Sequence, residues 1–504
     1  MIERILTVGG LTLVSRFTGF VRDIVLANFL GAGPLADAFF VAWRLPNFFR
    51  SFFAEGAFNA AFVPAYVRVR KQQGDDAVRL FADRVFTLMV ATQAVLLVLA
   101  LVFTPFVVST VALGFTQDTE QFVLAVEFTR ITFPSLLLMT LVTLYSGILN
   151  ARERFAAAAA APILLNLAMI ATLACAFLFP TVGHAAAWGV LLAGVLEFML
   201  VAGDAAFVHA AACFRLPRLD EHIKRFLKVL GPAVVGQSGV QLAVWADTLI
   251  ASFLPGAVSW LYYADRINQI PIGVIGIAAG TVVLPEMARR IAAGDEAGAR
   301  HAQNRAIELT LLLSVPCIAA FLLVPDLIMR AMFMRGKFTA ADAAAAGATL
   351  AAYAVGLLPF VLIRSVNATF LARGDTRTPL KAVLVALTVN IALKVALMGP
   401  LAQVGLALAT ALGAWINFGL VVAFAVRAGL IHRDERLTAS AAKIAVAGLA
   451  LAGVLWLAQR PALELYRTWA TLQDAAALAT LAVVGAIVYG GLIVVLFGRQ
   501  WPFR

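Results

Sequence analysis

Apolar runs recur along the chain from end to end, separated by short charged or Gly/Pro-containing breaks. A helix needs about 20 apolar residues to cross the hydrocarbon of a bilayer. Fourteen such runs lie near 5–28, 35–65, 86–112, 122–150, 159–180, 185–210, 225–254, 258–288, 304–330, 343–371, 379–398, 402–427, 439–458 and 475–497. They are continuously apolar, whereas the strands of a membrane barrel alternate apolar and polar positions over about ten residues. The pattern predicts an all-α polytopic membrane protein with 14 transmembrane helices. The first run carries Arg16 and Arg22 in its second half and has no small-residue cleavage site. It therefore reads as a retained helix and not as a signal peptide.

Composition agrees with this pattern. Of 504 residues 62% are apolar and 13% charged, and the mean hydropathy is +0.92. Soluble domains carry roughly 45–50% apolar and about 25% charged residues. A soluble enzyme, a disordered chain and a secreted disulfide scaffold are excluded. Cys175, Cys213 and Cys317 stand far apart, with no metal-ligand spacing. The net charge of +11 raises nucleic acid as a partner, but the loops account for it. With the N-terminus in the cytoplasm, 26 of the 39 Lys and Arg fall on the cytoplasmic side, 5 on the outer side and 8 within spans. That asymmetry predicts both termini inside and calls for no nucleic acid.

The chain also repeats itself. Asp23-Ile-Val-Leu-Ala-Asn-Phe-Leu30 matches Asp247-Thr-Leu-Ile-Ala-Ser-Phe-Leu254, and Phe40 and Arg44 align with Tyr262 and Arg266. Val63-Pro64 and Arg68 align with Leu284-Pro285 and Arg289, and Arg152 with Arg373. The offset of 221–224 residues spans six helices, so both copies enter from the same side, as parallel repeats do in some transporters. The expected organisation is an N-terminal lobe over 1–213 (helices 1–6), a C-terminal lobe over 214–430 (helices 7–12), and two appended helices over 431–504.

Ionisable residues lie where lipid would penalise them. Arg16, Arg22, Arg44, Arg50, Arg130, Arg266, Arg364 and Lys394 fall within spans, with Asp23, Asp37, Glu55, Glu127, Glu197, Asp204, Asp247 and Asp265. Each would cost on the order of 2.5–3.5 kcal/mol facing lipid at mid-bilayer, so they must face a cavity or each other. Most belong to helices 1, 2, 7 and 8, which predicts a central polar cavity between the lobes. It is richer in Arg than Lys, and guanidinium forks grip phosphate oxygens bidentately, so the cavity suits an anionic, phosphorylated substrate. Structural readings compete at some positions: Glu127 and Arg130, three apart, fit a helix ion pair, and Arg44, Arg50 and Arg364 fit side chains snorkelling to a membrane face. Pro46, Gly56 and Pro64 in helix 2, and Pro271, Gly273, Gly276, Gly280 and Pro285 in helix 8, suit bending helices or close helix packing. No HExxH, CxxC, phosphate-loop or Asp-rich diphosphate motif is present, so no catalysis, metal or cofactor is expected.

These residues carry a family resemblance. Ser15-Arg16-Phe-Thr-Gly19-Phe-Val-Arg22-Asp23, Gly31-Ala-Gly33, Asp37-Ala-Phe-Phe, Leu45-Pro46-Asn47-Phe-Phe-Arg50 and Ala54-Glu55-Gly56 resemble the N-terminal signature of the MurJ (MviN) lipid II flippases. Ser259-Trp-Leu-Tyr-Tyr-Ala-Asp265-Arg266 and Gly336-Lys337-Phe338-Thr339 do so as well, and the likeness runs over essentially the whole chain. That family belongs to the multidrug/oligosaccharidyl-lipid/polysaccharide exporter superfamily. The resemblance implies a bacterial inner-membrane protein moving undecaprenyl-pyrophosphate-linked disaccharide-pentapeptide from the inner to the outer leaflet by alternating access, for peptidoglycan synthesis. It implies a lipid-tail groove on the last two helices, and membrane lipids and cell-wall synthesis proteins as candidate partners. The substrate-binding positions it implies are Arg16, Arg22, Asp23, Asp37, Asn47, Arg50, Glu55 and Arg266. Arg22 and Arg266 would take the pyrophosphate with Asp23 orienting them, and Arg16 and Arg50 would draw in the headgroup. Asp37 and Glu55 would bridge a closing gate, with Asp265, Asp247 and Lys394 as gate or ion-pair residues. Some relatives hold sodium with an acid on helix 7 and groups on helices 11 and 12. Here Asp247, Asn390 and Thr410 fit, but Lys394 occupies an acid position, and its ammonium pairing with Asp247 would replace the metal. Ser51 and Gln269 also depart from the family pattern. A flippase for another polyprenyl-linked glycan, and a non-transporting scaffold of the cell-wall machinery, remain alternatives.

Overall fold

The computed structural model describes residues 2–53, 57–216, 218, 220–431, 434–469 and 472–498, and the regular elements among them are all helices. In chain order they are α1 (Ile2–Leu30), α2 (Pro34–Phe53), α3 (Ala57–Val102), α4 (Thr104–Val111), α5 (Thr119–Thr132), α6 (Pro134–Ala151), α7 (Ala156–Ala174), α8 (Val182–Phe207) and α9 (Glu221–Ala251). They continue with α10 (Ala257–Ala292), α11 (Glu296–Leu323), α12 (Pro325–Phe333), α13 (Ala340–Leu371), α14 (Arg377–Arg427), α15 (Glu435–Leu465) and α16 (Gln473–Phe497). The expected all-α membrane fold is what is seen, with nine stretches among the described residues long and apolar enough to span.

Helix ends follow local chemistry. Asp118, Asp220, Asp295 and Asp434 cap α5, α9, α11 and α15 by accepting backbone N–H groups of the first turn, and Thr181 does so for α8. Such a side-chain acceptor answers N–H groups that the helix itself leaves without partners. Asp375 does the same before α14, and the hydroxyl and N–H of Thr378 hold its carboxyl below the usual carboxylate range. Between α1 and α2, Gly31 and Gly33 take φ of 68° and 135°, a region closed to most side chains.

Two elements double back. The rings of Phe62 and Phe81 stack at 5.8 Å, yet 19 residues of straight helix would put about 28 Å between them. Gly74, at φ 83° and ψ −173°, makes the reversal. In α14 the side chain of Asn390 donates to Ala409 O at 2.9 Å, across a break at Ala402 with φ 48°. Helix α3 therefore runs up to Gly74 from both sides, beyond the apolar runs that end at 65 and begin at 86. Hydropathy marks where a helix meets lipid, not where its hydrogen bonding stops.

The chain divides into two compact units, 1–259 and 260–504. In the first, α1 packs on α7, α7 and α6 on α8, α3 on α6 and α9, and α2 on α5 and α9. An aromatic cluster ties both halves of α3 to α9: Phe58, Phe62 and Phe81 stack in sequence, and Phe226 stands edge-on to all three. In the second, α13 packs on α14, α11 lies against α13 and α15, and α15 pairs with α16.

Candidate functional site

Helix α1 carries the charged pair that the sequence singles out. Arg22 is 5% exposed and Asp23 3%. Nε and Nη2 of Arg22 both donate to Asp23 Oδ1, at 3.0 and 2.7 Å. Nη1 donates to Oδ1 of Asn166 on α7 at 2.9 Å, and the guanidinium lies 4.8 Å from the ring centroid of Trp43 on α2. Three of its five N–H groups are thereby committed, and one on each Nη remains. The guanidinium is thus a buried cation held by a carboxylate, an amide and an aromatic face.

On α2, Arg44, Asn47 and Arg50 recur every third residue, a spacing that keeps them near one helix face. With Gln241 and Thr248 of α9 they line a cavity of about 150 Å³. Arg44 Nη1 donates to Thr248 Oγ1 at 3.2 Å, and the side chain of Asn47 donates to Trp43 O at 3.1 Å. The charge of Arg50 acts on buried Glu197 of α8. So α2 presents Trp43 to α1 and its polar residues to α9.

At the other end of α2, Asp37 is 0% exposed. Its Oδ2 accepts the Gly256 N–H at 2.8 Å, and Oδ1 accepts both the Ser259 N–H at 2.8 Å and the Ser259 hydroxyl. These N–H groups belong to the start of α10, so Asp37 acts as an N-cap supplied from a distant helix, where a negative charge is favoured.

The remaining expected residues fall as follows. Arg16 is exposed on α1, and Glu55 lies outside the described residues. Arg266 lies 4.7 Å from the ring centroid of Tyr262, and Asp265 accepts from Gln269 at 3.3 Å. Asp247 is half-buried on α9, and Lys394 is 2% exposed on α14. One expected pair is corrected: Glu127 meets His184 Nε2 at 3.4 Å, and among the described residues no ion pair joins it to Arg130, which points outward. A ring from α8 lies closer to Glu127 than the exposed arginine on its own helix. Asp204 pairs with Arg154 at 2.6 Å, a structural contact at a helix end.

The Ser259–Arg266 and Gly336–Thr339 motifs support each other. Thr339 and Asp342 form a reciprocal capping box on α13, and Asp342 also accepts Trp260 Nε1–H at 3.0 Å. Phe338 and Phe333 each lie 5.1 Å from the ring of Tyr263. The Gly336–Thr339 segment is thus scaffolding that locks a loop onto α10. The residues missed by sequence reasoning are Asn166 and Trp43. Asn166 could have been found, because α7 is otherwise almost wholly apolar and a lone amide there needs partners.

The family model described as "Lipid II flippase MurJ" matches residues 26–477. A probable lipid II flippase MurJ of Rhizobium meliloti is 40% identical over 463 residues, covering 91% of this chain and 86% of the relative. The lipid II flippase MurJ of Burkholderia cenocepacia is 34% identical over 467 residues, covering 91% and 90%. Among solved structures, a lipid II flippase MurJ in an inward closed conformation superposes with a TM-score of 0.82 at 23% identity, covering 99% of both chains. An inward-facing multidrug resistance MATE family transporter of the MOP superfamily gives 0.67 at 14% identity, covering 86% and 98%.

Proposed function

The chain belongs to the lipid II flippase MurJ family, and from that premise we propose that it carries lipid II across the bacterial inner membrane with Arg22 as a pyrophosphate ligand. The observation behind this assignment is the buried Arg22 guanidinium, oriented by Asp23 and keeping an N–H on each Nη. The oxygens of a pyrophosphate can accept from two such N–H groups at once. Arg266, the repeat counterpart of Arg44, supplies the second cationic contact in this reading. Arg16 and Arg50 draw the headgroup in from the cytoplasmic side, Asn47 is a neutral contact for it, and Glu55 bridges basic residues across the closing gate. Asp37 fastens the outer ends of α2 and the α9–α10 turn, a clasp that must open for release under alternating access. Asp265, Asp247 and Lys394 complete the charge set. Lys394 supplies a fixed cation where some relatives would bind sodium, so no metal is required.

The accompanying topology has both termini in the cytoplasm, lobes over 1–213 and 214–430, and the two appended helices over 431–504, α15 and α16, hosting the lipid tail. The protein transports and does not catalyse, and the cell-wall synthesis proteins that consume lipid II on the outer leaflet are its natural partners. The test is made in cells depleted of the protein, by asking how much lipid II an impermeant probe reaches from outside. The expected result is that total lipid II persists while the accessible pool collapses, and that wild type restores it but Arg266→Ala does not. Unchanged accessibility with another glycan lipid accumulating inside would overturn the substrate assignment.

A further inference from the structure

The side chain of Asn166 reaches Arg22 from across 144 residues of sequence. It is 3% exposed on a helix whose other residues are nearly all apolar. An amide buried there without partners would cost free energy, and this one uses both of its donors and one acceptor site. Its Nδ2 donates to Ser15 O and to Thr18 Oγ1, both at 3.0 Å, while Oδ1 accepts from Arg22 Nη1 at 2.9 Å. The approach is close: a Cβ added at Gly19 would lie 3.4 Å from the Asn166 amide nitrogen. The donors therefore fix the amide against the α1 backbone, and the acceptor fixes the guanidinium.

The neutrality of the group matters. A second carboxylate at this position would cancel the positive charge that an anionic substrate needs. An amide takes up one N–H and restrains the rotamers of a long flexible side chain without lowering its charge. We propose that Asn166 is a positioning residue for substrate binding, a neutral clamp that holds the Arg22 guanidinium ready for the headgroup diphosphate. This rests on the assignment of Arg22 made above.

The experiment is a double-mutant cycle in proteoliposomes carrying fluorescent lipid II, with half-saturation and maximal flipping rate read separately and thermal melting measured in parallel. Asn166→Leu is expected to raise the half-saturating lipid II concentration about ten-fold or more, the size of a lost hydrogen bond to a charged group. Its maximal rate should change far less. In an Arg22→Lys background, where no fork remains to be positioned, Asn166→Leu should add less than two-fold. Should Asn166→Leu not fold, Asn166→Ala is read in the same cycle. It is neutral and too short to reach Arg22, so it is expected to weaken binding when Arg22 is intact and to add less than two-fold in the Arg22→Lys background. An equal loss in both backgrounds overturns the positioning role, because Asn166 would then act independently of Arg22. If Arg22→Lys weakens binding and both Asn166 variants leave it unchanged, this inference alone falls. If Arg22→Lys leaves half-saturation untouched, the assignment of Arg22 to the diphosphate falls with it.

Discussion

Asp37 offers the sharpest test of how α2 is held to the start of α10. Its carboxylate takes three donors, two of them backbone N–H groups at the start of α10, from a fully buried position. In Asp37→Asn one oxygen becomes an NH2 group. The surviving amide oxygen keeps most if it turns to Ser259, which supplies two donors. The NH2 then faces the Gly256 N–H, donor against donor. At least one charge-assisted bond is lost, worth about 1.5–3 kcal/mol. At about 1.4 kcal/mol per factor of ten, that shifts the balance between fastened and released clasp by about 10- to 150-fold. The reporter is Ala257→Cys, a position 0% exposed in the fastened state, after Cys175, Cys213 and Cys317 have been replaced by Ser. Labelling by an impermeant maleimide from the outer side should accelerate by that factor in Asp37→Asn, and by more in Asp37→Ala, which leaves all three donors without their acceptor. Labelling within two-fold of the parent for both variants would refute the reasoning, since the clasp would then carry no net free energy.

Other consequences are simpler to state. Arg22→Ala and Arg266→Ala should each abolish complementation in depleted cells while immunoblots show normal membrane insertion; survival of either would favour a scaffold role. Phe62→Ala removes the central ring of the cluster joining both halves of α3 to α9, and should destabilise the protein by about 3–5 kcal/mol, read as a lowered melting temperature in detergent. Flipping should proceed equally in sodium- and potassium-based buffers; a sodium requirement that disappears in Asp247→Asn would count against Lys394 as a replacement for the metal.

Much of this protein is determined by its sequence alone. Continuous apolar runs dictate an all-α membrane fold, because a backbone in lipid is satisfied only within helices or closed barrels, and barrel strands would alternate apolar and polar residues. Arginines and aspartates inside those runs single out α1, α2, α9 and α10 as the helices to test for function, because no lipid-facing position tolerates such charges cheaply. The Asp and Thr residues that begin helices are equally local signals, since a cap acts within three residues of itself. What the tertiary structure decided is which partner each charge takes. Asp23 meets its neighbour Arg22, but Asn166 lies 144 residues from that arginine, and Ser259 lies 222 from Asp37. Periodicity along one helix reports which face is buried and says nothing of what is buried against it. For that reason Glu127 and Arg130 look like a pair in sequence and are not. The polar break between the runs at 35–65 and 86–112 is legible in sequence, but the turn at Gly74 and the stacking of Phe62 on Phe81 are not. The Gly336–Thr339 segment shows the converse: a motif legible in sequence becomes a capping box and an aromatic lock only once α13 and α10 are packed together.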